Sequence, residues 1–252
     1  MFIKKDKYSP FMPPIVPSGF NQTAFNNFIL EHKVIGFFDQ PITLKSGRQS
    51  NWYVNWRKPS EDVALIDELA DHIIDFINAQ KLNPDTIYGV PEGATKIGII
   101  TQYKWATWAN DSNEQNKYVL AMGRGKPKEH GQSEDRFFLG MPKGRTVVIE
   151  DVTTTGGSLI ETIDNLKSVS VDIVAAIGLT NRMEKRNDQL TVEEVVQRNN
   201  VPYYAMSDAL ELLPLACQRY RPHRDIVRSV EREFNEYGIK PINLMHLLVG
   251  GV

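Results

Sequence analysis

VVIEDVTTTGGS, residues Val147 to Ser158, joins a run of β-branched residues to two adjacent carboxylates, three threonines and two glycines. Val147 to Glu150, extended back to Arg145 as RTVVIE, has the composition of a buried strand, and SLIETIDNLKSV (158–169) has the spacing of an amphipathic helix. Asp151 to Gly157 is therefore expected as the loop at the carboxyl end of a strand, with Ser158 opening the helix. At such a junction the first backbone N–H groups of the helix lack intrahelical acceptors and carry the positive end of its dipole. Thr and Ser hydroxyls add donors, while Gly156 and Gly157 let a ligand approach the backbone. A phosphate monoester suits these donors. Two carboxylates would repel that phosphate, so Glu150 and Asp151 must serve another part of the ligand, either vicinal hydroxyls or a cation. A ligand with ribose at one end and phosphate at the other meets both demands. Local composition alone also leaves open an acidic N-cap before a plain glycine turn. Neither G-x-x-x-x-G-K-[ST] nor G-x-G-x-x-G occurs, which removes the two commonest nucleotide loops.

The same alternation of apolar run and helical pattern recurs along the chain. TIYGV (86–90), YVLAM (118–122), VDIVAAIGL (171–179) and PYYAM (202–206) are expected strands. QTAFNNFILEHKVIG (22–36), DVALIDELADHIIDFINAQ (62–80) and ATKIGIITQYKWATWA (94–109) are expected helices, the second with Ile66, Leu69, Ile73 and Ile77 on one face and closed by Asn83-Pro84. Thr191 and Glu194 form a capping-box pattern for a further helix. Strands this apolar, separated by helices, imply an α/β fold with a mainly parallel sheet covered on both faces. Ligands in such sheets bind beyond the carboxyl ends of the strands, so the loops at 89–96, 123–144 and 151–157 are the places to look.

With 252 residues, 41% hydrophobic and 24% charged, the chain has the composition of an ordinary globular protein with one main domain. The division expected is an arm over 1–18, a domain over 19–241 and an apolar tail over 242–252. A formal charge of −2 gives no global reason to expect nucleic acid or an anionic membrane as partner. No segment approaches the ~18 apolar residues of a membrane helix. Cys217 is the single cysteine, which excludes an internal disulfide and Cys-rich zinc patterns, fits a reducing cytoplasm, and reads as a packed thiol. His32, His72, His223 and His246 show no metal-ligand spacing.

The strand, acidic pair and Thr/Gly-rich loop at 147–158 resemble the phosphoribosyltransferase family, whose signature loop binds the 5-phosphate of phosphoribosyl pyrophosphate (PRPP). Two further segments are similar to the orotate phosphoribosyltransferases within it. TLKSGRQSNWYVN (43–55) resembles their stretch near the N-terminus, and RGKPKEHG (124–131) resembles their mobile catalytic loop. SVEREFNEYG (229–238) is similar to the closing helix, so the resemblance runs from about Asn21 to about Gly238. It implies a type I phosphoribosyltransferase fold with a small N-terminal hood, drawn largely from 19–60.

The resemblance also implies roles. Glu150 and Asp151 would hold the ribose hydroxyls, with Asp151 at the reacting centre, and Val152, Thr153, Thr154, Thr155, Gly156, Gly157 and Ser158 would hold the 5-phosphate. The family usually has two aspartates where Glu150-Asp151 stands. Lys45 matches a lysine that reaches PRPP, and Tyr53 and Val54 match a usually aromatic pair beside the orotate ring. Thr154 and Arg182 match residues that contact orotate, the arginine through its bidentate fork. Arg124, Lys128 and His130 match groups that neutralise departing pyrophosphate, with Gly125 where a lysine usually follows and Lys126 one later. GVPEGATKIG (89–98) resembles the family's first phosphate loop, with Glu92 and Gly93 in place of an aromatic and often a lysine, and Lys96 as a compensating cation. The activity implied is Mg²⁺-dependent transfer of phosphoribose from PRPP to orotate in pyrimidine synthesis. The ion would be held mainly by PRPP, and the enzyme would be a cytoplasmic homodimer sharing its mobile loop. Two alternatives stay open: a phosphoribosyltransferase for another base, and a non-catalytic PRPP-sensing regulator that binds nucleic acid.

Overall fold

The computed structural model describes residues 19–44, 46–108, 117–125, 128–129 and 136–248. The arm at 1–18, Lys45, Lys126, His130 and residues 249–252 lie outside the described residues.

Strand β6 (Arg145–Thr153) turns Val147 and Ile149 to one hydrophobic cluster and Val148 to another. β7 (Asp172–Asn181) repeats this with Ala175, Ile177 and Leu179 against Ala176, and β3 (Thr86–Gly89) with Ile87 against Tyr88. The two-residue period of a strand thus buries both faces of one sheet. With β8 (Tyr203–Ala205) the strands form a parallel sheet in the order β3-β6-β7-β8. One face is covered by α1 (Gln22–Glu31), α2 (Val63–Ala79), α3 (Thr95–Trp108), α6 (Ala209–Tyr220) and α7 (Arg224–Tyr237). The other is covered by α4 (Gly157–Ser168) and α5 (Val192–Arg198), the latter opened by the capping box of Thr191 and Glu194. This is the covered parallel sheet that the apolar runs imply.

Three elements differ from the sequence reading. The helix expected over 22–36 ends at Glu31, because Lys33 adopts φ 51° and turns the chain into β1 (Ile35–Thr43). The strand expected over 118–122 is reduced to β4 (Met122–Gly123), which pairs with β5 (Phe138–Leu139) in a short ribbon outside the main sheet. β6 runs on through Asp151, Val152 and Thr153, expected in the loop, because each of these last steps still has a neighbour: Val152 pairs with Thr180 and Thr153 with Asn181.

The hood is the antiparallel hairpin of β1 and β2 (Gln49–Val54), against which α6 and α7 pack. Trp56, just after β2, stacks on Phe25 of α1 with ring centroids 5.6 Å apart. Its Nε1 donates to Thr180 Oγ1 on β7 at 3.0 Å, tying hood to sheet. The tail continues the core as far as it is described: Leu244 is fully buried, and Glu231 accepts from the backbone N–H groups of Leu244 and Met245. Cys217 is packed in the same core, and burial pushes its thiol up to about 12, with Glu231 adding to the shift. That is a structural cysteine, inert as a nucleophile. Replacing Trp56 by Phe keeps the stacking surface and removes the buried donor to Thr180, and is expected to cost about 1–2 kcal/mol of stability in urea unfolding.

Candidate active site

A cleft of about 340 Å³ lies beyond the carboxyl ends of β3 and β6. That is large enough for a small phosphorylated metabolite. Glu150, Asp151 and Val152 border it from β6, and Thr154, Thr155, Gly156, Gly157 and Ser158 border it from the following turn. Tyr53 and Val54 reach it from β2, Glu92 and Gly93 from the loop after β3, and Arg182 from the end of β7. Residues far apart in the chain, singled out on composition and resemblance, thus meet in one place.

The turn into α4 is built for donors. Gly156 sits at φ 70°, and a Cβ there would lie 2.5 Å from Val192 Cγ2, so neither the dihedral nor the space admits a side chain. Gly156 is the N-cap of the helix, and among the described residues no side-chain cap hydrogen bond is made to it. Its leading N–H groups therefore border the cleft with the dipole behind them, which is the arrangement an anion requires. Arg186 Nη1 donates to the Thr155 carbonyl and holds that turn from outside.

The acidic pair is set by contacts that the sequence reading does not foresee. Glu150 is buried, whereas Asp151 is half-exposed and lies against Gly93. A Cβ at Gly93 would come 2.3 Å from Asp151 Oδ2, so any larger residue there has to displace the carboxylate. The missing side chain at 93 is thus a fitting requirement. Glu92 in turn lies against Gly125 of the loop that follows β4, where a Cβ would be 2.5 Å from Glu92 Oε1.

Two expected residues are placed differently. Thr153 is turned into the core and does not border the cleft: its hydroxyl is 2.6 Å from the Tyr203 hydroxyl and its carbonyl accepts from the Arg182 N–H. Burial pushes the Tyr203 phenol up, so both groups are neutral partners. Arg182 borders the cleft, but its fork is already engaged. Its Nε donates to Glu184 at 2.7 Å and its Nη2 to Glu233 at 2.8 Å, with Trp52 beneath the guanidinium.

The segment expected to carry the catalytic loop is described in part. Arg124 and Lys128 donate backbone N–H bonds to Phe137 and Arg136, both at 2.8 Å, continuing the β4–β5 ribbon. Arg124 and Gly125 border a second cavity of about 360 Å³ that shares Arg57, Pro91, Glu92 and Ser158 with the first. Lys96 and Lys128 are exposed and border neither cavity. Arg57, exposed at the junction of the two, was missed; its place three residues after Val54 was the only available signal. Among the described residues no three acidic, histidine or cysteine side chains converge as a metal cage.

No family model matches the chain. The orotate phosphoribosyltransferase of Rhodopseudomonas palustris is 31% identical over 188 residues, which are 68% of this chain and 87% of that relative. The chain belongs to the orotate phosphoribosyltransferase family. A second orotate phosphoribosyltransferase, from Bifidobacterium animalis subsp. lactis, is 26% identical over 236 residues, 86% of this chain and 97% of that one. Among solved structures, the orotate phosphoribosyltransferase of Francisella tularensis superposes with a TM-score of 0.60 at 21% identity, over 85% of this chain and 99% of that chain. The UMP synthase of Leishmania donovani gives 0.65 at 18% identity, over 85% of this chain and 42% of that one. These structures share the type I phosphoribosyltransferase fold with this chain. Among the described residues no helix is long and apolar enough to cross a membrane.

Within this orotate phosphoribosyltransferase fold, Thr153 and its neighbour Thr154 are distinguishable by mutation. Thr153→Val breaks the hydroxyl pair with Tyr203 and is expected to lower stability by about 1 kcal/mol while substrate affinities stay near wild type. Titration of PRPP against the variant checks this, and a loss of affinity without loss of stability would put Thr153 back in the cleft.

Proposed function

We propose that this chain transfers the phosphoribosyl group of PRPP to N1 of orotate in pyrimidine (UMP) synthesis, with Mg²⁺ as cofactor. The observation that carries the reading is the meeting of an uncapped helix N-terminus and a carboxylate pair in one cleft, with Asp151 held against Gly93. The amides and hydroxyls of Thr154 to Ser158 suit the 5-phosphate, and Glu150 and Asp151 suit the ribose 2- and 3-hydroxyls as acceptors. In the reaction the C1–O bond breaks with its electron pair leaving on pyrophosphate, the C1–N1 bond forms, and the N1 proton passes to solvent or to the departing pyrophosphate. C1 passes through oxocarbenium character, so the protein has to hold the ribose, orient the base and neutralise the leaving group. Mg²⁺, which PRPP would bring to the Glu150–Asp151 end of the cleft, would supply part of that neutralisation.

Arg124, with Lys45, Lys126, Lys128 and His130, makes up the cation set we assign to PRPP and its pyrophosphate. The loop from Gly123 to Gly144 is the closing element, and its base is well anchored: a Cβ at Gly123 would meet the Tyr88 hydroxyl and Pro91. Closure excludes water that would otherwise hydrolyse PRPP. Tyr53 supplies one wall for the orotate ring, while Val54, 2% exposed, is largely part of the core and adds only an edge. We place the enzyme in the cytoplasm as a homodimer whose partner shares the closing loop.

With PRPP and Mg²⁺, the protein is expected to consume orotate, seen as loss of its near-ultraviolet absorbance, and to leave uracil and purines untouched. Turnover of another base in place of orotate would sink the assignment. Lys128→Ala is expected to lower kcat about 10²-fold with little change in PRPP affinity, since its charge acts on the leaving group. Unchanged kcat in steady-state assays would remove Lys128 from the mechanism.

A further inference from the structure

Behind Arg182 lies a buried cluster of four charges that the reaction above does not use. Arg48 Nη1 meets Glu184 at 2.9 Å, Arg182 Nε meets the other oxygen of Glu184 at 2.7 Å, and Arg182 Nη2 meets Glu233 of α7 at 2.8 Å. Ser50 on β2 accepts from Arg182 Nη2 at 3.1 Å, and its one proton has two acceptors in reach, the second oxygen of Glu233 at 2.9 Å and the Trp52 carbonyl at 2.8 Å. The Arg182 guanidinium carbon stands 3.7 Å from the centre of the Trp52 ring, and Nη1 reaches the Trp52 carbonyl at 3.4 Å. Of the five N–H groups on Arg182, four are thereby spent inside the protein. One on Nη1 remains for the cleft.

Resting on the proposed reading of the cleft, we infer that Glu233 is a positioning residue for the base: it holds the Arg182 guanidinium edge-on to the cleft and sets the net charge behind the bound anion. With Glu233 ionised the cluster of Arg48, Arg182, Glu184 and Glu233 is neutral, and with Glu233 protonated it is +1. The groups facing Glu233 are Arg182 and Glu184 beyond β7, Ser50 on β2 and Tyr237 on its own helix. Burial raises the Glu233 carboxyl to about 7, with Glu184 adding to the rise and Arg182 and the Ser50 hydroxyl opposing it. The change of charge therefore falls within the working pH range. A carboxylate-bearing base gains an attractive field as pH falls through about 7 and loses it as pH rises. PRPP, assigned to the donors of Thr154 to Ser158 and the loop cations, does not depend on the remaining Arg182 donor, so its affinity is expected to change less.

The experiment is the pH dependence of KM for orotate and for PRPP in wild type, Glu233→Gln and Ser50→Ala. Glu233→Gln keeps one acceptor oxygen for Nη2 and removes the charge, with the amide N–H₂ taking the place of the oxygen beside Ser50. Wild type is expected to show a KM for orotate about tenfold lower at pH 6 than at pH 8, and Glu233→Gln to keep the low value at both. Ser50→Ala, which removes a bond to the charged form, is expected to move the transition to higher pH. KM for PRPP should follow one curve in all three. Superimposable orotate curves for wild type and Glu233→Gln overturn the inference, and so does an unmoved transition in Ser50→Ala should Glu233→Gln fold poorly. Absence of orotate turnover in wild type would instead refute the reading of the cleft. The tie to Arg182 is then read from Trp52 emission, which should titrate near pH 7 in wild type and not in Glu233→Gln; an equal titration in both overturns it.

Discussion

The cleft exists because β6 outruns β3. β3 pairs with β6 only from Thr86 to Gly89, opposite Thr146 to Ile149, whereas β7 stays paired with β6 as far as Thr153. From Glu150 onward β6 therefore has a neighbour on one side only, and the space that β3 vacates is the cleft. The helices that follow the two strands sharpen this. Ile97 and Trp105 of α3 pack on one face of the sheet, while Leu159, Ile163 and Leu166 of α4 pack on the other. The chain leaving β3 and the chain leaving β6 diverge, which makes a crevice at the carboxyl ends, as open α/β sheets do where connections change face. The acidic pair stands at its edge on backbone still hydrogen-bonded to β7, and this rigidity is what a site that must hold a ribose requires.

What closes the crevice from the side is a set of contacts between loops in which a side chain of one loop meets the bare backbone of another. Gly93 receives the Asp151 carboxylate, and Gly125 receives that of Glu92. Two of the places where this chain departs from the pattern it resembles, 92–93 and 125, are thus in contact. Glu92 would have to swing aside for any side chain at 125. A carboxylate bordering both cavities is unfavourable next to pyrophosphate on its own. Seated against Gly125, it instead joins the loop after β3 to the loop after β4. Arg57, exposed at the same junction, borders both cavities together with Glu92.

The sheet and the β6–α4 turn were legible in the sequence because each depends on local chemistry: apolar runs of strand length, helical spacing, and a Thr/Gly loop directly after two acids. The hood was not. Its first strand, IGFFDQPIT, has no polar-apolar alternation and contains Pro41, and the helix before it stops at a lysine with positive φ where glycine would be the ordinary signal. YVLAM has the composition of a strand, yet no partner strand exists for it beyond β3 among the described residues, so it serves as the approach to a ribbon. Thr153 escapes a reading by residue type for a related reason: composition does not reveal where β6 stops pairing, and one more paired residue takes its hydroxyl from the ligand to Tyr203.

Arg182 shows the sharpest limit of reading residue types along a chain. Its charge and place were right, but the direction of its fork depends on Glu184, two residues on, and on Glu233, which only tertiary structure brings near. Stability alone gives no reason for such a cluster, since the desolvation of buried ion pairs offsets much of their attraction and apolar residues of equal volume serve as well or better. What apolar residues cannot do is hold a guanidinium rigidly at a cleft wall with one donor left over. A free arginine there would cover the carboxylate of any anion it met, with the rotamer entropy of a long side chain opposing each encounter. A guanidinium clamped between two acids and laid on Trp52 has lost that entropy already, and it offers less charge but a fixed direction.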